Sequence, residues 1–200
     1  MGALSARVLL AGAELQRRIA LLGSEVVAAC GDRVVLVAVL DGSLIFLADL
    51  VRAMPIELSI DFLALSSYGH GSNRVRLVKD LDGDVAGQRV VVVHDVVDTG
   101  LTLAWLLGEL AHRGPTSLDV CALVDRRERR LVPVPLRWVG IEVGDQFVIG
   151  YGLGYDGRYR NLDLLAVGDL DALQADPDAH VRQLYGTNGE VAACGRGPRR

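Results

Sequence analysis

Hydrophobic residues along the chain follow two patterns, which together predict alternating strands and helices. Unbroken or alternating apolar runs are typical of strands, and they lie at residues 34–40, 59–65, 90–93, 118–124, 137–143 and 164–167. Apolar residues at helical spacing extend over residues 12–29, 44–54 and 101–107. Strands that alternate with helices predict an α/β fold with a mostly parallel, twisted sheet flanked by helices on both faces.

Polar residues gather where the predicted strands end. Asp41-Gly42-Ser43 follows the first buried strand, residues 94–100 follow the central one, and the charged run 125–130 follows a third. In an open parallel sheet, ligands bind beyond the carboxyl ends of the strands, where all three segments would lie. Residues 66–79 form a longer excursion rich in Ser, Tyr, Gly, His, Asn and basic residues, and we expect a mobile lid there.

The central stretch, RVVVVHDVVDTGLTL at residues 89–103, predicts an anion site. A buried strand leads through a short polar loop with Gly100 into a helix, whose first backbone N–H groups have no partner within the helix. Thr99 and Thr102 add hydroxyl donors. The carboxylates of Asp95 and Asp98 suit a ligand that offers more than a phosphate, namely sugar hydroxyls, a metal ion or a proton to be removed.

Composition and charge narrow the class of protein. Two hundred residues, half of them hydrophobic and 23% charged, suit one folded domain, which we expect over residues 1–186, with a disordered tail at 187–200. A net charge of −4 argues against broad nucleic-acid binding, and no apolar run approaches the ~18 residues of a membrane span. Three widely spaced cysteines fit free thiols in a reducing cytoplasm.

Five ordered blocks of the sequence resemble one known family. HDVVDTGLTL is similar to the phosphoribosyl-diphosphate motif of the type I phosphoribosyltransferases, in which acidic residues and a few aliphatic residues precede Asp-Thr-Gly. The other blocks, in order, are LDGSLIFLADL, SSYG, ALVDRRERR and VGIEVGDQFVIGYGLGYDGRYRNL. They narrow the resemblance to the hypoxanthine-guanine phosphoribosyltransferases, over residues 8–167.

This resemblance implies a fold and a reaction. The fold would carry a small hood beside the main sheet. The enzyme would move ribose 5-phosphate from phosphoribosyl diphosphate to a purine, hypoxanthine or guanine, and release diphosphate. The resemblance also implies Mg²⁺ as cofactor and a homodimer or homotetramer, and the cysteine usage indicates a cytoplasmic location.

The resemblance assigns the sugar-phosphate end of the site to the central stretch. The 5-phosphate would be bound by Asp98, Thr99, Gly100, Leu101 and Thr102. Asp98 is also the expected general base for the proton on the purine N7, although a carboxylate in this position can serve as a helix N-cap. His94 and Asp95 are expected at the ribose hydroxyls, and Asp95 also at Mg²⁺, which binds few carboxylates and several other oxygens.

The resemblance also implies a diphosphate site. Diphosphate is expected against Asp41 and Gly42, with Arg160 as a bidentate clamp and with Ser67 and Tyr68 in the closing lid. A surface ion pair is the alternative interpretation of Arg160.

Three residues are expected at the purine. The ring of Phe147 would stack on the base, the Val148 backbone would read its edge, and Arg126 would donate to its 6-oxo group. A core aromatic residue is the alternative interpretation of Phe147.

Four positions depart from the family pattern. His94 stands in place of the first carboxylate, Arg126 in place of a lysine, and Gly154 in place of an aspartate that binds a second Mg²⁺, while Asp41 occupies an often basic position. Restoring an aspartate at Gly154 would then be expected to raise the affinity for Mg²⁺. Because these changes lie at the chemistry, two further functions stay open: the same reaction on a modified or deazapurine base, and a weakened enzyme that binds phosphoribosyl diphosphate as a signal.

Overall fold

Two β-sheets organise the computed structural model, which describes residues 5–67 and 75–186. The strands are β1 (Arg7–Leu10), β2 (Val34–Leu40), β3 (Leu58–Ser67), β4 (Val75–Lys79), β5 (Arg89–Val97), β6 (Ser117–Arg126), β7 (Trp138–Val143), β8 (Phe147–Ile149) and β9 (Leu165–Gly168). The helices are α1 (Gly12–Cys30), α2 (Leu44–Arg52), α3 (Leu101–Ala111), α4 (Leu170–Ala175) and α5 (Val181–Gly186), with one 3-10 turn at Arg127–Arg129. No helix among these residues is long and apolar enough to cross a membrane.

The larger sheet has the strand order β4-β3-β2-β5-β6-β7. Its neighbours pair in parallel except β4, which pairs antiparallel with β3 at the edge. The predicted α/β class and mostly parallel sheet are therefore confirmed. Since β2 and β5 lie in the middle of the sheet, the turns that follow them are neighbours at one edge.

The valines of β5 explain why its apolar run is unbroken. Val91 and Val93 pack into the cluster that contains the α1 and α2 side chains, whereas Val90 and Val92 pack into the cluster that contains α3. All four are at most 1% exposed. Each buried valine contributes about 1.5–3 kcal/mol of hydrophobic free energy, so this strand is held firmly between two helical layers.

The smaller, antiparallel sheet has the order β1-β9-β8. It packs with α4 and α5 around a third apolar cluster that contains Ile149, Tyr159 and Leu173. We call β1 together with residues 147–186 the hood. This unit corresponds to the small hood that the resemblance implied.

Several element boundaries differ from the sequence-based prediction. The predicted α2 ends two residues too late, because the helix stops at Arg52. The prediction also ended the central strand at Val93, but β5 continues to Val97, so His94 and Asp95 lie in a strand and not in a loop. Likewise, β6 extends through Arg126 into the expected charged run. Ladder hydrogen bonds to neighbouring strands outweigh the low strand propensity of these polar residues.

The expected lid is also shorter than predicted. Residues 75–79 form β4, which pairs with β3 so that Ser67 lies opposite Val75. The remaining lid residues 68–74 and the tail 187–200 lie outside the described residues. The prediction further missed β1, β8, α4 and α5, each of which has six residues or fewer. Segments this short carry little periodicity, so most of them were missed, although β9, with four residues, lies within one residue of the strand predicted at 164–167.

Candidate active site

The loop between β5 and α3 forms a small open cavity. Its volume is about 150 Å³, and it is lined by His94, Val96, Val97, Asp98, Thr99, Gly100, Thr102 and Leu103. The N-cap residue of α3 is Gly100, which has no side chain to act as a cap, so backbone N–H groups of the first turn remain available. Among residues 5–67 and 75–186, the Thr99 Oγ1 accepts one long hydrogen bond of 3.4 Å, from the N–H of Leu101. Most of the residues predicted for the 5-phosphate thus line one cavity.

Gly100 allows this loop its path. Its φ is +84°, a conformation that other residues rarely adopt. A Cβ atom at this position would lie 2.7 Å from the Val132 carbonyl oxygen and 2.9 Å from Cδ of Arg130. The Thr99 carbonyl oxygen accepts hydrogen bonds from the N–H groups of Leu131 and Val132, at 2.9 and 3.2 Å. Segment 130–132 therefore fixes the loop from behind.

His94 and Asp95 form a hydrogen-bonded pair at the end of β5. The His94 Nδ1 lies 2.9 Å from Oδ1 of Asp95, which also accepts the Val96 N–H at 2.8 Å. Burial by itself would raise the pKa of the Asp95 carboxyl. The imidazole of His94 and the backbone donor outweigh burial, so this pKa lies below its ordinary value. Asp95 is held as a carboxylate.

The turn between β2 and α2 lies directly against Asp95. The chain leaves β2 through a cis peptide bond between Leu40 and Asp41, and the buried Ser43 donates to the Val39 carbonyl oxygen at 2.5 Å. A Cβ atom built on Gly42 would lie 1.8 Å from Oδ2 of Asp95. Gly42 is therefore the residue that lets the turn approach the carboxylate.

The hood approaches the same turn. A Cβ atom built on Gly152 would lie 2.2 Å from the Gly42 carbonyl oxygen, and Gly152 has a φ of +93°. The Gly152 carbonyl oxygen accepts a hydrogen bond of 2.8 Å from Nη1 of Arg160, whose own carbonyl oxygen accepts the Gly152 N–H at 2.8 Å. The structure thus brings together three of the residues predicted for the ribose and diphosphate: Asp95, Gly42 and Arg160.

Asp98 belongs to a network of charged side chains. Its Oδ1 accepts a hydrogen bond of 2.7 Å from Nε of Arg129, and its Oδ2 accepts one of 3.4 Å from Nη1 of Arg126. Both arginines also reach Asp145: Arg129 binds its carboxylate at 2.9 Å and Arg126 its carbonyl oxygen at 3.0 Å. The hydrogen bond from Arg129 holds the pKa of the Asp145 carboxyl below its ordinary value. The network joins the α3 loop to the segment before β8.

Arg126 is the most enclosed member of this network. Its side chain is 11% exposed, and its Nε is buried without a hydrogen-bond partner among the described residues. Burial lowers the pKa of this guanidinium from its ordinary value, and the nearby carboxylate of Asp98 opposes that shift. An unpaired buried donor is costly, about 1–3 kcal/mol.

Phe147 and Val148 lie in β8, at the rim of the hood. The Phe147 ring is half-buried and meets the Tyr155 ring edge-on, with ring centres 6.0 Å apart and planes at 82°. Val148 is buried, and its backbone pairs with Val167 of β9. The Phe147 side chain is therefore partly open, two residues after Asp145 in the chain.

The remaining predicted positions are less defined. Asp41 is exposed, at the start of the β2–α2 turn. The backbone of Ser67 lies at the end of β3, but its side chain is not described, and Tyr68 lies outside the described residues. A Cβ atom at Gly154 would lie 2.2 Å from the Arg158 carbonyl oxygen. The Asp156 carboxylate, two residues further on, accepts a hydrogen bond of 2.7 Å from Nη1 of Arg158.

Several residues around the site carry no distinguishing signal in the sequence. Arg129 stood in a charged run without a signal to separate it from its neighbours, and Asp145 preceded an aromatic strand as an ordinary turn residue. Tyr151 and Asp49 are hydrogen-bonded although they are 102 positions apart in the chain. Such a pairing depends on the tertiary fold, which no local pattern reveals.

Comparison with known proteins agrees with this geometry. The family profile described as "Phosphoribosyl transferase domain" matches residues 9–156. The chain is 45% identical over 174 residues to hypoxanthine-guanine phosphoribosyltransferase of Mycobacterium avium, covering 82% of this chain and 85% of that protein. It is 43% identical over 162 residues to hypoxanthine phosphoribosyltransferase of Haemophilus influenzae, covering 78% and 90% of the two chains.

Solved structures give the same result. A hypoxanthine-guanine phosphoribosyltransferase of Bacillus anthracis superposes with a TM-score of 0.78 at 36% identity, covering 81% of this chain and 98% of that one. Hypoxanthine phosphoribosyltransferase of Trypanosoma cruzi, a point mutant in a ternary complex with substrates, also gives 0.78, at 34% identity and with 82% and 96% covered. Fold and site together define an α/β enzyme of the phosphoribosyltransferase class. Within that class, the chain belongs to the hypoxanthine-guanine phosphoribosyltransferase family.

The family implies Mg²⁺, and the site can be tested for it. No group of three or more His, Cys, Asp or Glu side chains among residues 5–67 and 75–186 could hold a metal ion. The donor chemistry still fits, because Mg²⁺ is commonly bound through one or two carboxylates together with substrate oxygens and water. Asp95, held as a carboxylate beside Gly42, is such a donor.

Proposed function

We propose that the protein transfers ribose 5-phosphate from phosphoribosyl diphosphate to hypoxanthine or guanine, and that nucleoside monophosphate and diphosphate are the products. The observation that carries the proposal is the cavity at the β5–α3 loop, which His94 and Asp98 share with the uncapped N-terminus of α3. Partial positive charge at a helix N-terminus favours a phosphate. The names of the relatives support the substrate class.

The 5-phosphate is bound in this cavity by backbone N–H groups and hydroxyls. Thr99 and Thr102 are free to turn their hydroxyls towards it, since neither has a short side-chain hydrogen bond among the described residues. Segment 130–132 holds the loop in place before the substrate arrives. A preformed loop does not have to be ordered on binding, so less binding free energy is lost.

Asp98 takes the proton that leaves the purine N7 as the base attacks the sugar. Its Oδ1 is engaged by Arg129 at 2.7 Å, whereas its Oδ2 has, within the described part of the chain, only the 3.4 Å contact with Arg126. Each carboxylate oxygen has two lone pairs, so Oδ2 keeps the capacity to accept the proton. Arg126 uses Nη1, released from its 3.4 Å contact with Asp98, to donate to the 6-oxo group.

Diphosphate leaves from the turn around Gly42. The backbone there lies between Asp95 and Gly152, and Arg160 stands beside it with Nη1 bound to the Gly152 carbonyl oxygen. When bound, Mg²⁺ supplies positive charge to the leaving diphosphate, and Asp95 would hold it. Ser67 and Tyr68 stay as predicted lid residues that exclude water from the cation-like transition state.

One observation favours a substrate base other than hypoxanthine or guanine. Arg126 stands where the family has a lysine that contacts the base. Gly154, which has no room for a side chain, stands where the family has an aspartate that binds a second Mg²⁺. The alternative is therefore the same transfer to a modified purine or deazapurine. A weakened enzyme that only binds phosphoribosyl diphosphate is disfavoured, because Asp98, with its Oδ2 only weakly engaged, is present.

One assay separates these functions. The protein is mixed with phosphoribosyl diphosphate, Mg²⁺ and single bases, and the release of diphosphate is followed. We expect turnover with hypoxanthine or guanine and none with adenine. Turnover only with an unusual base would replace the proposal with the alternative, and binding without turnover of any base would support the regulatory one.

We also expect a homodimer or homotetramer in the cytoplasm. The family resemblance supports the oligomeric state, and the two described cysteines, Cys30 and Cys121, are free thiols, which suits a reducing compartment. Analytical ultracentrifugation checks the first expectation, and a sedimentation profile of a monomer at micromolar concentration would contradict it.

A further inference from the structure

The backbone of Tyr151 lies in the hood, whereas its side chain packs into the apolar cluster beside the main sheet. Its backbone belongs to the hood segment Gly150–Gly152, whose three residues all have positive φ, +97°, +50° and +93°. Its ring is 3% exposed and packs in the apolar cluster between the main sheet and helices α1 and α2. An aromatic residue rarely adopts a positive φ, so surrounding contacts must hold it there.

The Tyr151 hydroxyl supplies the polar part of those contacts. It donates a hydrogen bond to Oδ2 of Asp49 in α2. Gln16 of α1 donates to the same oxygen at 2.6 Å and lies 3.3 Å from the Tyr151 oxygen. Arg52 pairs with the other carboxylate oxygen of Asp49. The hydroxyl therefore ties the hood to two helices of the main body.

The Tyr151–Asp49 hydrogen bond lies one residue away from the contact between Gly152 and Gly42 at the proposed diphosphate site. Gly152, next in the chain, packs against the Gly42 carbonyl oxygen and holds the Arg160 guanidinium. Gly42 in turn precedes α2, the helix that carries Asp49. Tyr151 and Asp49 thus fix the two segments whose close approach brings Gly42 and Arg160 together.

We propose that Tyr151 is a positioning residue for diphosphate binding: its hydrogen bond to Asp49 seats the Gly150–Gly152 peptide against the β2–α2 turn. The inference rests on the proposed function, because Gly42 and Arg160 are assigned to diphosphate there. Tyr151 itself does not reach the substrate, and its hydroxyl is committed to Asp49. Removing that hydroxyl should loosen the diphosphate end of the site and leave the base and the proton acceptor in place.

The test is the Tyr151→Phe variant, which keeps the ring and removes the hydrogen bond. We expect the KM for phosphoribosyl diphosphate to rise about 3- to 10-fold, with kcat and the KM for hypoxanthine nearly unchanged. Asp49→Ala should have a similar effect, and adding Tyr151→Phe to it should have little further effect, because the hydroxyl then keeps only the 3.3 Å contact with Gln16 among the described residues. Asp49→Asn keeps an acceptor oxygen and should retain most of the wild-type KM.

Tyr159→Phe is the matched control. Its hydroxyl is also buried in the hood, where it donates to the Pro177 carbonyl oxygen at 2.7 Å and accepts the His180 N–H at 3.2 Å. This variant removes the same atom and a comparable hydrogen bond, but at the side of the hood facing α4 and α5. It should leave the KM for phosphoribosyl diphosphate unchanged. An equal rise in this variant would assign the effect to general loosening of the hood and overturn the inference.

Arg160→Gln separates this inference from the proposed function. If Arg160→Gln raises the KM for phosphoribosyl diphosphate and Tyr151→Phe and Asp49→Ala do not, the positioning role is wrong and the diphosphate assignment stands. If Arg160→Gln leaves that KM and the inhibition by diphosphate unchanged, the diphosphate assignment is itself wrong. Circular dichroism confirms that each variant is folded, and Asp49→Ala provides the test should Tyr151→Phe fail to fold.

Discussion

Asp98 is the residue on which the proposed chemistry depends most. It lines the cavity at the α3 loop, and its two oxygens are engaged unequally by Arg129 and Arg126. The sequence pointed to this carboxylate through the Asp-Thr-Gly motif. Its arginine partners could not be predicted, because Arg129 is 31 residues away and indistinguishable from the basic residues around it.

Asp98→Asn should lower kcat by about 10²- to 10⁴-fold, because an amide cannot accept the proton from the base. The KM for phosphoribosyl diphosphate should change little, since the backbone N–H groups of the α3 loop remain. Steady-state kinetics with hypoxanthine measures both. Asp119→Asn is the matched control. It removes a carboxylate that pairs with Arg137 near the start of β6, at the opposite end of that strand from the site. A kcat for Asp98→Asn within a few-fold of wild type would exclude the general-base role.

Gly154 shows how far a residue-level prediction depends on the backbone. From the sequence, an aspartate here was expected to restore Mg²⁺ binding. The structure leads to a different expectation, because a Cβ atom would lie 2.2 Å from the Arg158 carbonyl oxygen and 2.9 Å from Cγ of Arg160. The first of these contacts is with backbone, which cannot turn aside as a side chain can.

Gly154→Asp should therefore lower the free energy of unfolding by about 1–3 kcal/mol, the cost of overpacking, without raising the affinity for Mg²⁺. Urea denaturation and a Mg²⁺ titration of activity measure the two effects. Gly108→Ala is the control: Gly108 lies in α3 with open space around it, and alanine should stabilise the helix by about 0.5–1 kcal/mol. A stable Gly154→Asp variant with tighter Mg²⁺ binding would contradict the expectation.

Strand β3 is anchored by the buried carboxylate of Asp61. Its oxygens accept hydrogen bonds from the N–H groups of Phe62, Asp82 and Gly83, at 2.7, 2.9 and 2.9 Å. Burial by itself would raise the pKa of this carboxyl, but the hydrogen bonds outweigh burial, and the pKa lies below its ordinary value. These hydrogen bonds join β3 to the turn that leads into β5, and they thereby support the strand that carries the site.

Asp61→Asn should lower the free energy of unfolding at pH 7 by about 1–3 kcal/mol, since the amide nitrogen cannot accept these hydrogen bonds. A folded-state pKa below the unfolded one stabilises the protein above about pH 4 and loses this effect as the pH falls through the folded pKa. The stability difference between wild type and variant should therefore shrink on acidification below about pH 4. Urea denaturation from pH 3 to 7 checks this, and a difference independent of pH would contradict it.

Elements were predictable where many residues share one pattern. The helix predicted over 12–29 is observed as Gly12–Cys30, and the strand 34–40 has the predicted bounds. Boundaries failed where polar residues continue a strand, as at His94, or where a segment is too short, as in β8. In both cases the deciding hydrogen bonds come from a neighbouring strand that is distant in sequence.

The site lies between the main sheet and the hood. Asp95 and Gly42 come from the sheet, and Gly152 and Arg160 come from the hood. No cluster of three metal-binding side chains exists among the described residues. The complete Mg²⁺ site would therefore need oxygens of the bound substrate.

Mg²⁺ alone should leave the melting temperature of the protein unchanged, whereas Mg²⁺ together with phosphoribosyl diphosphate should raise it. A ligand at free concentration c stabilises the folded state by RT ln(1 + c/Kd), so a ligand far below its Kd has almost no effect, and free Mg²⁺ lacks enough protein ligands among the described residues to bind tightly. Differential scanning calorimetry measures both conditions, with phosphoribosyl diphosphate and a chelator as control. Chelation should also abolish turnover. A rise with Mg²⁺ alone would indicate a preformed metal site.

By itself, the sequence determined the class of fold, the strand-turn-helix units and the residue types at the site, because each depends on local periodicity or on a short motif. The tertiary structure alone decided which of these residues meet. Gly42 against Asp95, Gly152 against Gly42, Arg129 on Asp98 and Tyr151 on Asp49 are contacts between segments far apart in the chain. They exist because the packing of the two sheets and their helices brings these distant backbone segments together.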